Sequence, residues 1–144
     1  MISFDTNLAV HAVNISTPLH LKARGFLESL GSRTDVAVCE LMLVELYLKL
    51  RNATIFPTPM GASEAVAHCQ CFRANKNWSL VESSPVMDEV WKRAGKPDFA
   101  IRRIIDARMA LTLRAHGVTE FATTNIKDFQ TFGFTRVWNP LHDE

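Results

Sequence analysis

A three-layer α/β/α sandwich around a mostly parallel sheet is the fold class this sequence predicts, on three observations. Strand-like and helix-like segments alternate along the chain, the pattern of a parallel sheet covered by helices on both faces. Proline and glycine punctuation keeps every element short: Pro18, Gly25, Gly31, the 57–61 stretch, Pro85, Gly95-Lys96-Pro97, Gly117, Gly133 and Pro140. The length of 144 residues suits one domain with a real core and is short for two, so residues 1–144 are read as a single domain.

In chain order, residues 2–5 read as a first strand ending at an acid. Residues 19–30 read as a helix, with Leu19, Ala23, Phe26, Leu27 and Leu30 on one face. Residues 35–38 are a short strand, and 39–51 and 61–75 are helices. Residues 78–81 are a candidate for a buried strand. Ser84 is expected to cap a helix running to Ala94, with Pro85 at its first position. Residues 99–116 carry the clearest helical pattern, closed by Gly117. A strand over 120–123, one helical turn over 126–131 and a last strand over 135–138 complete the chain.

Apolar residues make up 47% and charged residues 22%, a globular balance rather than a disordered one. Sixteen Lys and Arg against fifteen Asp and Glu leave a net charge of +1, which argues against coating of duplexes by charge alone. No apolar run approaches the roughly 20 residues that span a bilayer. The opening Met-Ile-Ser-Phe-Asp has neither the basic region nor the apolar stretch of a signal peptide, so the expected location is the cytoplasm, with no membrane partner. Cys39, Cys69 and Cys71 fit a reducing compartment and read as packing thiols.

In parallel sheets the working crevice lies at the carboxyl ends of the strands. That rule directs attention to a few polar residues. Asp5 follows the first strand and opens Asp5-Thr6-Asn7, where a turn or helix cap is the competing role. Glu45 has Leu41, Met42 and Leu48 as helical neighbours, which puts a carboxylate beside a buried stripe, where an ionised group needs a partner. An i,i+4 pair with Lys49 is its competing role. Glu40, at the start of the same helix, suits the helix N-terminal field. Asp106 borders Ile105, Met109, Ala110 and Leu113, with pairing to Arg102 or Arg103 as its alternative. After the next strand, Thr123-Thr124-Asn125-Ile126-Lys127-Asp128-Phe129 offers hydroxyls, an amide and an acid, or else ordinary turn and capping chemistry. Acids gathered in one crevice would repel one another without cations, and hard oxygen ligands suit Mg²⁺ or Mn²⁺.

These segments resemble the PIN-domain nucleases and, more narrowly, the VapC-type toxins of type II toxin–antitoxin pairs. Phe4-Asp5-Thr6-Asn7 is similar to the family's opening strand and first acid. Residues 39–50, with Val44-Glu45-Leu46-Tyr47, match the helix carrying the second. Arg103-Ile104-Ile105-Asp106-Ala107-Arg108-Met109-Ala110, followed by His116-Gly117-Val118, matches the helix carrying the third. The segment 123–129, followed by Val137-Trp138-Asn139-Pro140, matches the closing motif. The motifs come in the family's order and run nearly end to end.

The resemblance implies a PIN-like sandwich, Mg²⁺ or Mn²⁺ dependence and endonucleolytic cleavage of RNA to 3′-hydroxyl and 5′-phosphate ends. It also implies a homodimer and a cognate antitoxin whose tail fills the active groove. On this reading Asp5, Glu45 and Asp106 hold the metal and Asn125 or Asp128 completes the site. Many relatives have Asp where this chain has Asn125, which brings a carbonyl oxygen but no charge; Asp98 is a further candidate. Thr6 and Thr124 would orient water or phosphate oxygens. Arg102, Arg103, Arg108, Lys49 and Lys127 are candidates for phosphate contacts. Water activated by the cation would attack the phosphodiester in line.

Two other classes compete. One is a PIN-like RNA-binding or scaffold domain without catalysis, which the missing fourth acid would suit. The other is a phosphatase or nucleotide hydrolase, since Asp5-Thr6-Asn7 has the look of an aspartyl nucleophile loop, but Asn7 stands where that chemistry wants a second Asp. A serine or cysteine hydrolase is disfavoured: there is no Gly-x-Ser-x-Gly elbow. His11, His20, His68, His116 and His142 lack metal-ligand spacing, and no glycine-rich phosphate loop is present. Trp78, Trp91 and Trp138 read as core or dimer packing.

Overall fold

The computed structural model describes residues 1–142. In chain order it contains β1 (Ile2–Phe4), α1 (Thr6–Val13), α2 (His20–Leu30), β2 (Ala37–Cys39), α3 (Glu40–Leu50), α4 (Ala62–Arg73), β3 (Ser79–Val81), α5 (Met87–Ala94), a 3₁₀ turn (Ile101–Arg103), α6 (Ile104–Ala115), β4 (Glu120–Ala122), α7 (Ile126–Phe129) and β5 (Arg136–Trp138). All strand pairings are parallel: β1 with β4, β4 with β5, and β2 with β3. A parallel bridge between Ile2 and Val36 joins the two groups, and the Ile2 N–H reaches the Asp35 carbonyl at 2.8 Å. The strands therefore lie in the order 3-2-1-4-5.

Successive strand residues face opposite sides of a sheet. Every residue of β1 and β2 is buried, so both faces are covered, as the sandwich requires. Two aromatic clusters mark the two faces. Phe4 packs against Phe72 of α4 and edge-on against Trp78, with centroids 5.7 Å apart. Phe121 pairs in register with Ser3, on the other face, and packs on Phe129 of α7 and stacks on Phe134 at 5.1 Å. Ser3 Oγ is buried there with no hydrogen-bond partner.

Helix α1 is absent from the sequence reading. Thr6, Leu8, Ala9 and Val10 are all buried, and so short an apolar run does not separate strand from helix. Tertiary packing decides it. The expected Ser84 cap does not form: the Val86 N–H turns back onto the Ser84 carbonyl at 2.8 Å, and α5 starts at Met87 without a side-chain cap. The long segment 99–116 divides, because the Arg103 N–H bonds to the Ala100 carbonyl at 2.9 Å in a 3₁₀ turn before α6 begins. Its end is as expected: Gly117 has φ +99°, and the Val118 N–H reaches back to the Leu113 carbonyl at 3.0 Å. Trp91, read as packing, is 60% exposed, whereas Trp78 and Trp138 do pack against the core. No helix of the described residues is long and apolar enough to cross a membrane.

Candidate active site

Strand β1 ends at Phe4, and Asp5 leaves the sheet as the residue before α1. Because Phe4 lies opposite Ala122, the next pair across the sheet is Asp5 and Thr123. The Asp5 N–H bonds to the Ala122 carbonyl at 2.8 Å, and the Thr123 hydroxyl donates to Asp5 Oδ2 at 2.9 Å. Thr123 is itself pinned to β5 through its N–H on the Trp138 carbonyl at 2.9 Å. Both side chains are buried, so three strands hold this carboxylate in place.

The two residues after Asp5 reach α3. The Thr6 hydroxyl donates to Glu45 Oε2 at 3.0 Å. Lys49 Nζ donates to Asn7 Oδ1 at 2.6 Å, instead of closing the i,i+4 pair with Glu45. Asp5, Thr6 and Asn7 thus each engage a different partner: Thr123, Glu45 and Lys49.

Burial pushes the Asp5 carboxyl above its ordinary value; the Thr123 bond, the Lys49 charge and the nearby N–H groups of Thr6 and Asn7 oppose the rise. Burial also raises Glu45, against the Thr6 bond and Lys49, and the Asp5 charge adds to the rise. Asp106, half-buried in the first turn of α6, is pushed up to about 7 by burial first and then by the charges of Asp5, Glu45 and Asp128. Lys49 opposes the shift of all three acids. Carboxylates from a strand end and two helices therefore share one field, with Lys49 as a cation common to all three.

Three comparisons bear on what this arrangement belongs to. No family model matches the sequence. Ribonuclease VapC24 of Mycobacterium tuberculosis is 53% identical over 141 residues, covering 98% of this chain and 97% of the relative. The chain belongs to the VapC ribonuclease family. VapC48 of the same organism is 22% identical over 96% of this chain and 97% of its own. Solved structures share the fold. M. tuberculosis VapC20, described as a sarcin-ricin loop cleaving toxin, superposes with a TM-score of 0.65 at 16% identity, covering 84% of this chain and 87% of that one. FitAcB from Neisseria gonorrhoeae gives 0.64 at 21% identity over 99% and 100% of the two chains. FitAB bound to a DNA fragment gives 0.63 at 22% over 100% and 98%. The family read from the four motifs, and the α/β fold expected with it, are both borne out.

In this VapC chain the segment after β4 carries Asn125 and Asp128, both with partners of their own. Asn125 is exposed and precedes α7; its N–H donates to Thr123 Oγ1 at 2.9 Å, and its carbonyl accepts the Asp128 N–H at 3.1 Å. Asp128 is paired with Arg103, which takes that guanidinium away from Asp106. Arg102 is exposed on the 3₁₀ turn. Thr123 holds Asp5; the sequence offered it only as one hydroxyl of the motif and singled out Thr124, for water or phosphate oxygens. The register of β1 against β4 was the signal that singles out Thr123. Glu40 pairs with Arg73 of α4 at 2.7 Å. The thiols stand apart from the site: Cys39 is buried in the core, Cys69 bonds to the Leu43 carbonyl at 3.5 Å, and Cys71 is exposed.

The donors at the crevice are hard oxygens of one sign, which fits Mg²⁺ or Mn²⁺ in kind. Among the described residues no three His, Cys, Asp or Glu side chains form a metal-binding group. The carboxylates share a field without closing a cage. Mg²⁺ does not demand one, since it keeps several waters and is held through one or two carboxylates.

Proposed function

We propose that this chain is a Mg²⁺- or Mn²⁺-dependent endoribonuclease and the toxin of a toxin–antitoxin pair. One observation carries the reading: Asp5, held by Thr123 at the end of β1, and Glu45, held by Thr6 on α3, both act on Asp106 of α6, whose carboxyl is pushed up to about 7. Like charges facing one another in a partly buried crevice are costly for folding, and such perturbed groups gather at functional sites. The names of VapC24 and VapC48 as ribonucleases support RNA as the substrate.

Asp5, Glu45 and Asp106 are the residues that would hold the cation. When bound, it would lower the pKa of water and offset charge developing on the phosphate. The chain's own residues do the positioning. Thr123 fixes the rotation of the Asp5 carboxylate, and Thr6 fixes Glu45. Lys49, anchored on Asn7, holds positive charge beside the acids and keeps Asp5 and Glu45 nearer their ionised forms. Neither Asn125 nor Asp128 is needed as a ligand on this reading. The expected homodimer and cognate antitoxin belong to the same proposal.

The test is cleavage of RNA by the purified chain with Mg²⁺, with Mn²⁺ and with EDTA. Cleavage is expected only with a divalent cation, and loss of at least a hundredfold is expected for Asp5→Asn and Asp106→Asn. RNA binding without turnover under either cation would select the scaffold reading. Undiminished cleavage in the two variants would reject this site.

A further inference from the structure

Beside the acids lies a cleft of about 370 Å³, lined by the loop before α6 and the segment after α7. Asp106 is part of its lining, together with Asp128, so the cleft shares a residue with the proposed catalytic crevice. Its volume falls at the lower end of small-ligand sites, roughly 300–1,000 Å³.

Three features of the lining stand out. The Phe99 ring is half-buried, yet it neither packs against the hydrophobic core nor meets another ring among the described residues. In the same lining, Phe132 is covered by the Arg93 guanidinium, 4.8 Å from the ring centroid. Arg93 is held in place by Glu89 at 3.1 Å and by the Thr131 carbonyl at 3.2 Å. Lys96, exposed and part of the lining, makes no ion pair with any described residue, whereas Arg103 is tied to Asp128.

An unused aromatic ring, a cation without a partner and a fixed guanidinium form a mixed lining. Asp98 and Asp106 line the same cleft, which makes it a poor seat for a small anion. It suits a ligand with a neutral flat ring and a phosphate some distance away. Bases stack on aromatic side chains in single-stranded nucleic acid, and Lys and Arg take the backbone.

We infer that this cleft is a nucleotide subsite: Phe99 stacks on the base of an unpaired nucleotide next to the scissile bond, and Lys96 contacts its phosphate. The inference rests on the ribonuclease reading for its substrate. It adds that Phe99 and Lys96 are substrate-positioning residues, outside the acid cluster.

The experiment measures binding of a short fluorescent single-stranded RNA by anisotropy, in Ca²⁺ and in EDTA, alongside KM and kcat in Mg²⁺. Phe99→Leu is expected to weaken binding by about tenfold and to raise KM, with the thermal midpoint unchanged. Phe99→Tyr is expected to restore both. Lys96→Ala is expected to lower the salt dependence of binding by about one phosphate contact. RNA with an abasic site at the cleavage point is expected to bind wild type and Phe99→Leu alike. Wild-type binding by Phe99→Leu, a deficit that persists on abasic RNA, or no RNA binding at all would overturn the subsite. Failure of the enzymatic reading looks different: the Phe99-dependent binding persists while no divalent cation supports cleavage.

Discussion

The Thr123 hydroxyl donates to the Asp5 carboxylate at 2.9 Å, joining positions 118 residues apart in a buried setting. Two adjacent strands, in register at Phe4 and Ala122, end on these two residues. The bond both orients the acid and lowers a pKa that burial raises. Thr123→Val keeps the shape and removes the donor. It is expected to cost about 1.5–3 kcal/mol of stability in urea unfolding at neutral pH. RNA cleavage is expected to fall at least tenfold, with the acid limb of the pH profile moved to higher pH.

Asp106 sets a pH dependence whose sign follows from its shift. Its carboxyl moves from 3.8 in the unfolded chain to about 7 in the folded one. The unfolded chain releases this proton first, so the associated stability is full below pH 3.8 and is lost as pH rises to about 7. Without divalent cation, the thermal midpoint of wild type is expected to fall across that window by more than that of Asp106→Asn. Cation binding needs the ionised carboxylate, so Mg²⁺ affinity is expected to rise with pH through about 7, with proton release visible by calorimetry in two buffers.

Lys49 opposes the upward shift of Asp5, Glu45 and Asp106 together. Lys49→Met removes that cation and keeps the stem. All three carboxyls are expected to rise further, so the pH–rate profile moves to the alkaline side. Most activity lost at pH 6.5 is expected to return by pH 8.5. A uniform loss at every pH would assign Lys49 to substrate contact instead.

Two substitutions on the sheet face away from Phe4 separate packing from polarity. Ser3 Oγ is buried without a partner, and an unmatched hydroxyl costs about 1–3 kcal/mol. Ser3→Ala is expected to raise the denaturation midpoint with cleavage unchanged. Phe121 is fully buried between Phe129 and Phe134, and Phe121→Ala is expected to cost about 3–5 kcal/mol.

The sandwich was legible because its signals are local. Alternating elements, breakers such as Gly117 and apolar faces on helices need no knowledge of distant partners. The acids were legible for a related reason: Glu45 and Asp106 sit beside apolar stripes, where a lone carboxylate is conspicuous. Helix α1 was not, since Leu8, Ala9 and Val10 fit a strand or a helix equally until α2 and α3 pack on them. Ser84 misled because a tight turn, which periodicity does not report, took up the N–H that a cap would have served.

By itself the sequence determined the class of fold and the family, and it singled out three carboxylates as candidates for one site. Only the tertiary structure decided their company. Thr123 holds Asp5, Lys49 reaches Asn7 rather than Glu45, and Arg103 pairs with Asp128 beside Asp106. Each of these choices depends on strand register or on which helix faces which. Those relations are set by burial of surfaces far apart in the chain, and no local spacing encodes them.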